Sequence, residues 1–558
     1  MDVDPITLEV MRNKLDGIAN EMQLTLVRSA FSAIVKEGLD ASASLFTVQG
    51  ETLAQALAIP VHLGALTPMV GQMLRQVPLD TMREGDIWIL NDTYLGGTHL
   101  PDIAIMMPVF ADGRVIAISA AMTHHQDVGG MAPGSTPTNA TEIFQEGIRI
   151  PLLPFRQGEI LNETLIAMLR RNVRLPDVLM GDINAQVAAC TIGARRLAAV
   201  ATSFGREPLL ALFDELLSRA ETMTRQALRG LKPGTYRYAD FLDNDGIELD
   251  RLVRIEVAVT IGDGTMHCDF TGTSPQVRGP FNCMASGPYA AACFALRAVT
   301  DPEARIPNNG GCFRPISFNL PEGSLVNPRE PAPTGCRTST IKRITTTMLG
   351  ALRLAAPDRV PADSASEIVI MHFGGRRSDG SRYVTSQLLV SGSGASSSLD
   401  GVDMIETDAS NCLNVPAEAL MMEAPIRVHR IALHRDSGGP GRMRGGLGGV
   451  FEYELLDGEA VVTYRGERHL CAAAGASDGM AGGRSSAVIR RASGDEEAIK
   501  SKIVATMRKG DRIVIETGGG GGYGNPVERN AALMQADVRN GKVSADAARD
   551  VYRWRGNA

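Results

Sequence analysis

The sequence predicts an α/β (α+β) protein of several subdomains, with mixed sheets, long helices and a glycine-rich β region toward the C-terminus. Three observations carry this reading. Apolar residues recur at helical spacing from Met11 to Met22, near the start of the chain, and again over 160–230. Between them, residues 39–150 break into short apolar runs separated by Gly, Pro, Asn and Asp, the pattern of strands joined by loops. Finally, Arg430 to Gly524 hold 21 glycines in 95 residues, about twice the density of the whole chain, and these punctuate β-rich runs such as Val461–Tyr464 and Ile513–Ile515.

Taken in order, Asp4 can cap a helix whose first turn accepts Pro5, and Met11, Leu15, Ile18 and Met22 share one face, predicting a helix of about 25 residues. Residues 39–150 read as sheet with long loops. Ile183, Val187 and Cys190 follow a possible cap at Asp182, the 209–231 segment is helical, and Lys232-Pro233-Gly234 closes it with a turn. Hairpins are expected over 236–270, and helices over 280–300 and near 341–356. The expected divisions are 1–230 (an α/β region with the candidate site), 231–425 (α+β), 426–526 (Gly-rich β) and 527–558 (a C-terminal helix). Gly518–Gly524 reads as a flexible loop leading into that helix, with Asn525 as cap and Pro526 at its first position.

Composition removes several classes of function. At 558 residues, 21% charged and 44% hydrophobic, the chain can bury large cores without disulfide or metal staples. A net charge of −7 leaves no basic excess to neutralise phosphates, so nucleic acid is not an expected partner. The longest stretch free of formal charge, Thr52–Leu74, contains Pro60, Pro68 and His62 and does not read as a membrane span. Met1-Asp2-Val3-Asp4 does not resemble a secretory signal, and eight cysteines without a Cys-x-x-Cys pair suit a reduced cytoplasm. There is no P-loop and no Gly-x-Ser-x-Gly elbow.

Chemistry concentrates in Asn91-Asp92-Thr93-Tyr94-Leu95-Gly96-Gly97-Thr98-His99-Leu100-Pro101-Asp102 and in Thr123-His124-His125-Gln126-Asp127. Asp112-Gly113 between apolar runs is a two-residue hairpin signal. It pairs residues whose numbers sum to 225, placing Asp102 opposite Thr123, with His99 and His124 at the hairpin's open end. Two imidazoles and a carboxylate so placed could bind Zn²⁺ or Mn²⁺; a hydrogen-bonded loop network explains the same residues. Arg442-Met443-Arg444-Gly445-Gly446 and Arg465-Gly466-Glu467-Arg468 suit either an anion or a surface turn.

Six ordered motifs give the chain a resemblance. They are Asn91-Asp92 through Asp102, His124-His125-x-Asp127-Val128-Gly129-Gly130, Glu146-Gly147-Ile148-Arg149-Ile150-Pro151, Gly181-Asp182-Ile183-Asn184-Ala185-Gln186, Asp436-Ser437-Gly438-Gly439-Pro440-Gly441 and Gly520-Gly521-Gly522-Tyr523-Gly524. Together, over about Asp4 to Pro526, they resemble the hydantoinase B/oxoprolinase family. The resemblance implies the B subunit of an ATP-dependent cyclic-amide hydrolase of hydantoinase, caprolactamase or oxoprolinase type. Its hydantoinase A-type ATPase partner would phosphorylate the substrate oxygen, and the chain would be inactive alone, in a cytoplasmic hetero-oligomer. It also implies a divalent transition metal, Zn²⁺, Mn²⁺ or Fe²⁺, on Asp40, His99, Asp102 and His124; only the resemblance points to Asp40. His125, Asp127 and Glu146 become candidates for proton transfer or support. The alternatives are a subunit of an acetone- or acetophenone-type carboxylase, which the chain's length disfavours, and a non-catalytic partner of the ATPase.

Overall fold

The computed structural model describes residues 4–556. The first helix, α1 (Pro5–Ser29), begins as expected, with the Asp4 carboxylate accepting from Thr7 N and Pro5 in the first turn. Its buried stripe, Leu8, Met11, Leu15, Ile18, Met22 and Leu26, lies against a later helix and the first sheet. Each such side chain contributes about 1.5–3 kcal/mol on full burial. After the short α2 (Ala33–Lys36), the chain builds a seven-stranded antiparallel sheet from β1 (Ala41–Phe46), β2 (Thr52–Gln55), β3 (Ile87–Leu90), β4 (Asp102–Ala111), β5 (Arg114–His124), β6 (Leu153–Gln157) and β7 (Ile160–Leu161). Their order is β2-β1-β5-β4-β3-β6-β7.

Two departures from the sequence reading shape the site. Residues 60–76 form a helix, α3 (Pro60–Gln76), instead of loop; Pro60 is harmless in its first turn, and the helix tolerates Pro68 within its length. The hairpin also carries a bulge between Val109 and Phe110. Ala111 pairs with Arg114 and Phe110 with Val115, but Val109 pairs with Ala117, so beyond the bulge Asp102 faces His124 instead of Thr123.

Period-two alternation then separates two cores. Ala41, Ala43, Ile103, Ile105 and Ala121 face α1 and the long helix α5 (Pro176–Phe204), whereas Ala104, Met106, Ala120 and Met122 pack with Leu66, Met69 and Met73 of α3. The helical stretch 160–230 resolves into α4 (Glu163–Asn172), α5 and α6 (Arg206–Arg229). Asp182 is not a cap, because α5 begins at Pro176; from the helix interior its carboxylate accepts from the backbone of Phe31 and Ser32, at 2.7 and 3.2 Å.

The middle of the chain forms a second sheet, β8 (Gly234–Leu242), β9 (Val253–Gly262), β10 (Thr265–Asp269) and β11 (Ile316–Asn319), packed by the helices α7 (Ser286–Thr300) and α8 (Arg337–Ala355). β12 (Val369–Arg376) and β13 (Arg382–Leu389) then share one sheet with later strands, reaching across the expected division at 425. After α9 (Ala417–Glu423) come β14 (Ile426–Leu433), β15 (Gly449–Leu455), β16 (Glu459–Arg465), β17 (Ser486–Arg490), β18 (Glu496–Ala498), β19 (Lys502–Arg508) and β20 (Arg512–Glu516). The orders are β13-β12-β16-β19 and β14-β15-β20-β17-β18.

Gly518–Gly522 is buried, not an exposed flexible loop. The N–H groups of Gly519, Gly520, Gly521 and Gly522 donate to Gly483, Gly446, Asp363 and Met480 at 2.8–3.1 Å, so one strand of backbone is held by several others. Instead of one C-terminal helix there are two, α10 (Ala531–Arg539) and α11 (Ala545–Asp550). Gly541, with φ +69°, breaks the run, and Ser544 caps the second helix. Asn525 caps only a 3₁₀ turn, Pro526–Glu528. Among the described residues no helix is long and apolar enough to cross a membrane, and all eight cysteines are free.

Candidate functional site

Three neighbouring strands end level with one another. Asp102 of β4 faces His124 of β5, and the His124 N–H donates to Asp40 O at 3.0 Å just before β1, so Asp40, His124 and Asp102 form one row. Residues in such a row share a face of the sheet. The parity of Met122 and Ala104 makes it the α3 face. His62, in the first turn of α3, meets the row there, with Nε2 3.3 Å from Asp40 Oδ1 and 3.5 Å from Asp102 Oδ1. His99 arrives from the loop before β4; its Nε2 lies 3.1 Å from Asp102 Oδ1, and its ring centroid 5.0 Å from that of His124.

Burial dominates the electrostatics. It pushes the His99 imidazole down to about 4, with Arg337 acting in the same direction, and holds His124 well below its ordinary value. Burial alone would raise Asp102, but His99, Arg337 and His62 hold its carboxyl well below the usual range. Asp40 is pushed up to about 6 by burial, against the pull of His62. Near neutral pH, therefore, two neutral imidazoles stand beside ionised carboxylates.

The loop before α8 completes the cluster. Arg337 Nη2 and Thr98 Oγ1 both bond Asp102 Oδ2, which leaves Oδ1 facing the imidazoles. His99 Nδ1 is 2.9 Å from Gly335 O. A carbonyl oxygen only accepts, so Nδ1 carries the proton and Nε2 the lone pair. That lone pair points at the acceptor Asp102 Oδ1 across 3.1 Å. Two acceptors face each other with no proton between them, an arrangement that a cation relieves.

Among the described residues, no group of three or more His, Cys, Asp or Glu side chains stands in metal-ligating geometry; here the donors contact one another. Their chemistry nonetheless fits a divalent ion. The imidazoles are neutral, one Nε2 is aimed by a backbone carbonyl, and His124 Nδ1 is buried without a partner. Two imidazoles on one tetrahedral ion have ring centroids about 5 Å apart, from metal–nitrogen bonds of about 2.0–2.1 Å, close to the separation seen here.

The other predicted residues lie in three different settings. His125 follows His124 and therefore faces the opposite side of the sheet, where Nε2 meets Gln186 Oε1 at 3.0 Å and Thr123 Oγ1 at 3.1 Å. Asp127 pairs with Arg174 at 2.9 Å and accepts from the backbone of Gly129 and Gly134. Glu146 accepts from Gly335 N at 2.7 Å and Thr334 N at 3.1 Å, so it supports the loop that holds His99, and burial pushes its carboxyl up to about 8. Sequence reasoning missed His62, Arg337 and the buried His372, which bonds Thr136 and Ser386. His62 was hidden in the stretch 39–150, which reads as sheet with long loops and gave no sign of a helix there. Arg337 carried no local signal, because its partner is 235 residues away.

The sequence pattern of the family described as hydantoinase B/oxoprolinase matches residues 4–526. The caprolactamase subunit beta of Pseudomonas jessenii is 34% identical over 99% of this chain and 96% of its own length. The crystal structure of the ATP-dependent caprolactamase from Pseudomonas jessenii is similar at TM-score 0.91 and 30% identity, over 100% of this chain and 98% of that one. A nucleotide-free acetone carboxylase shares the fold at TM-score 0.89 and 20% identity, over 98% of this chain and 79% of the other.

Proposed function

The chain belongs to the hydantoinase B/oxoprolinase family, and from that premise we propose that it is the B-type subunit of an ATP-dependent cyclic-amide hydrolase. It completes ring opening of a hydantoin, lactam or 5-oxoproline-like substrate after a hydantoinase A-type ATPase subunit has phosphorylated the amide oxygen. The caprolactamase relative, named as a beta subunit, supports both a hydrolytic reaction and a partner subunit. The partner and a cytoplasmic setting belong to the same proposal.

In this reading Asp40, His99, Asp102 and His124 hold one divalent transition metal. The observation that carries it is the facing pair of acceptors, His99 Nε2 and Asp102 Oδ1, buried at 3.1 Å. An ion held there supplies Lewis acidity toward oxygen and lowers the pKa of water. The chain's own residues supply the rest. Arg337 and Thr98 fix the rotation of Asp102, and Gly335 O fixes the tautomer of His99. Glu146 clamps the loop that carries that carbonyl, and burial of the whole row keeps bulk water from competing with the substrate. Amide resonance is the barrier to be overcome, and phosphorylation of the oxygen removes it before the ring reaches this row.

The test is reconstitution with the A-type subunit, following ring opening, ATP consumption and labelled bicarbonate together. Ring opening with ATP consumed and no label fixed is expected. Label retained in the product instead assigns the chain to carboxylation and overturns the proposal.

A further inference from the structure

Six arginines are buried among the described residues: Arg337, Arg343, Arg444, Arg465, Arg468 and Arg529. Five of them meet a carboxylate. Arg337 pairs with Asp102, Arg343 and Arg468 with Asp240 at 2.9 and 3.1 Å, Arg444 with Asp403 at 3.1 Å, and Arg529 with Asp400 at 2.7 Å. The buried lysines Lys342 and Lys502 likewise meet Glu406 and Glu467, at 2.7 and 2.8 Å. Among the described residues Arg465 alone of the six makes no ion pair. Its polar contacts are Gly335 O, at 3.4 Å from Nη1, and the Cys336 thiol, while Nε is buried with no hydrogen-bond partner; the carboxylate that acts on it from further off, Glu467, is paired with Lys502 at 2.8 Å. A long bond to a carbonyl and a neutral thiol is poor compensation for a guanidinium taken out of water, and such a group is strongly unfavourable unless a counter-charge arrives. The sequence pattern around this arginine suits either an anion or a surface turn, and its burial removes the surface turn.

Its position gives the vacancy in charge a meaning. Gly335 O, which Arg465 approaches, is the same carbonyl that orients His99. Cys336 is the N-cap of α8, a helix of 19 residues whose first turn directs N–H groups and the positive end of its dipole to this place. Arg337, the first residue of that helix, also has a buried Nε without a partner, and Thr338 beside it is partly exposed. The carboxylate that reaches this loop, Glu146, is engaged by the Thr334 and Gly335 N–H groups.

We infer that Arg465, Arg337 and the first turn of α8 form a receiving site for an oxyanion beside the Asp40–His99–Asp102–His124 cluster, and that its ligand is the phosphoryl group of the activated substrate. The identity of the anion rests on the proposed function; the site itself rests on the unpaired guanidinium. Bicarbonate shares the oxyanion chemistry and is the competing source.

The full-length chain, without its partner, is titrated calorimetrically with inorganic orthophosphate and, separately, with bicarbonate, and its thermal unfolding is followed with each. Orthophosphate is expected to bind one-to-one and raise the unfolding temperature. Arg465→Met should weaken that binding by about tenfold or more, the scale of a lost charge-assisted contact, and abolish the thermal shift. In anion-free buffer the same variant should unfold at no lower a temperature than the parent, because Met replaces the stem without burying a charge. Arg465→Lys should retain part of the phosphate response. An unchanged phosphate response in Arg465→Met, or no response to orthophosphate in the parent, overturns the site. So does a lower unfolding temperature of Arg465→Met in anion-free buffer, which would make Arg465 a structural prop. Binding of bicarbonate alone overturns the phosphoryl assignment. Metal content of the same samples keeps the two proposals apart: lost phosphate binding with unchanged metal concerns Arg465, whereas a metal-free parent concerns the cluster.

Discussion

The row of carboxylates and imidazoles at the ends of β1, β4 and β5 and the glycine bundle around Gly518–Gly522 are both buried, yet they are built from opposite materials. In the row, the backbone is ordinary sheet, and the side chains carry charge that only their neighbours make tolerable. In the bundle there are no side chains, and the backbone itself is the packing surface. A Cβ on Gly519, Gly520, Gly521 or Gly522 would stand 1.8–2.2 Å from a carbonyl oxygen of Ser437, Ser393, Ala474 or Pro440 respectively. None of these four glycines needs positive φ. Close approach, not conformational freedom, is the reason for glycine here. The row is therefore expected to fail by loss of charge balance, and the bundle by loss of space.

The largest effect should come from the bundle. Gly520→Ala brings a methyl group against the Ser393–Gly394 peptide, 2.0 Å from Ser393 O, and should destabilise the chain by more than about 4 kcal/mol, read by urea unfolding or as loss of soluble protein. Arg337→Met leaves Asp102 as a buried carboxylate without its guanidinium, and should cost about 3–5 kcal/mol in the same measurement. A smaller loss in Gly520→Ala than in Arg337→Met would reverse the comparison.

A pH experiment sharpens it. Glu367 connects the bundle to the rest, accepting from Ser485 Oγ, Glu467 N and Gly518 N at 2.5–3.3 Å, and burial pushes its carboxyl up to about 7 from an ordinary 4.5. The folded chain thus holds this proton more tightly than the unfolded chain does. That contribution is complete below about pH 4.5 and is lost as pH rises through about 7, at most about 3 kcal/mol. Glu367→Gln should remove this part of the decline in stability between pH 5 and 8, measured as the difference in unfolding free energy from the parent across that range. An unaltered pH profile would mean that Glu367 is already ionised. The smallest effect is a gain: Gly17 lies exposed in α1, and a methyl group added to it would meet nothing within 4 Å, so Gly17→Ala should stabilise the chain by about 0.5–1 kcal/mol.

The two regions were unequally legible. The α1 helix could be read from its cap and stripe, and the open end of the hairpin could be read from Asp112-Gly113, which brought His99, Asp102 and His124 together. The bulge at Val109/Phe110 had no sequence signature, so the register was one residue out. That single step decides which of Thr123 and His124 faces Asp102, and alternation then turns His125 toward Gln186. Asp40 was visible only through family resemblance, because a lone aspartate before a strand is indistinguishable from a turn residue. His62, Arg337 and Arg465 come from segments far apart in sequence, and local pattern says nothing about which distant elements will share a wall. The glycine-rich stretch was located correctly and misjudged in character: glycine density signals flexible loop and close backbone packing alike, and only the neighbouring chains distinguish them.

The role proposed for the buried row depends on a bound metal. Elemental analysis of the purified chain, beside His99→Ala with its unfolding transition recorded, tests it most directly. About one divalent transition metal per chain is expected in the parent, and less than about a tenth of that in a folded His99→Ala. A metal-free parent, or a folded His99→Ala with the parent's metal content, would contradict it.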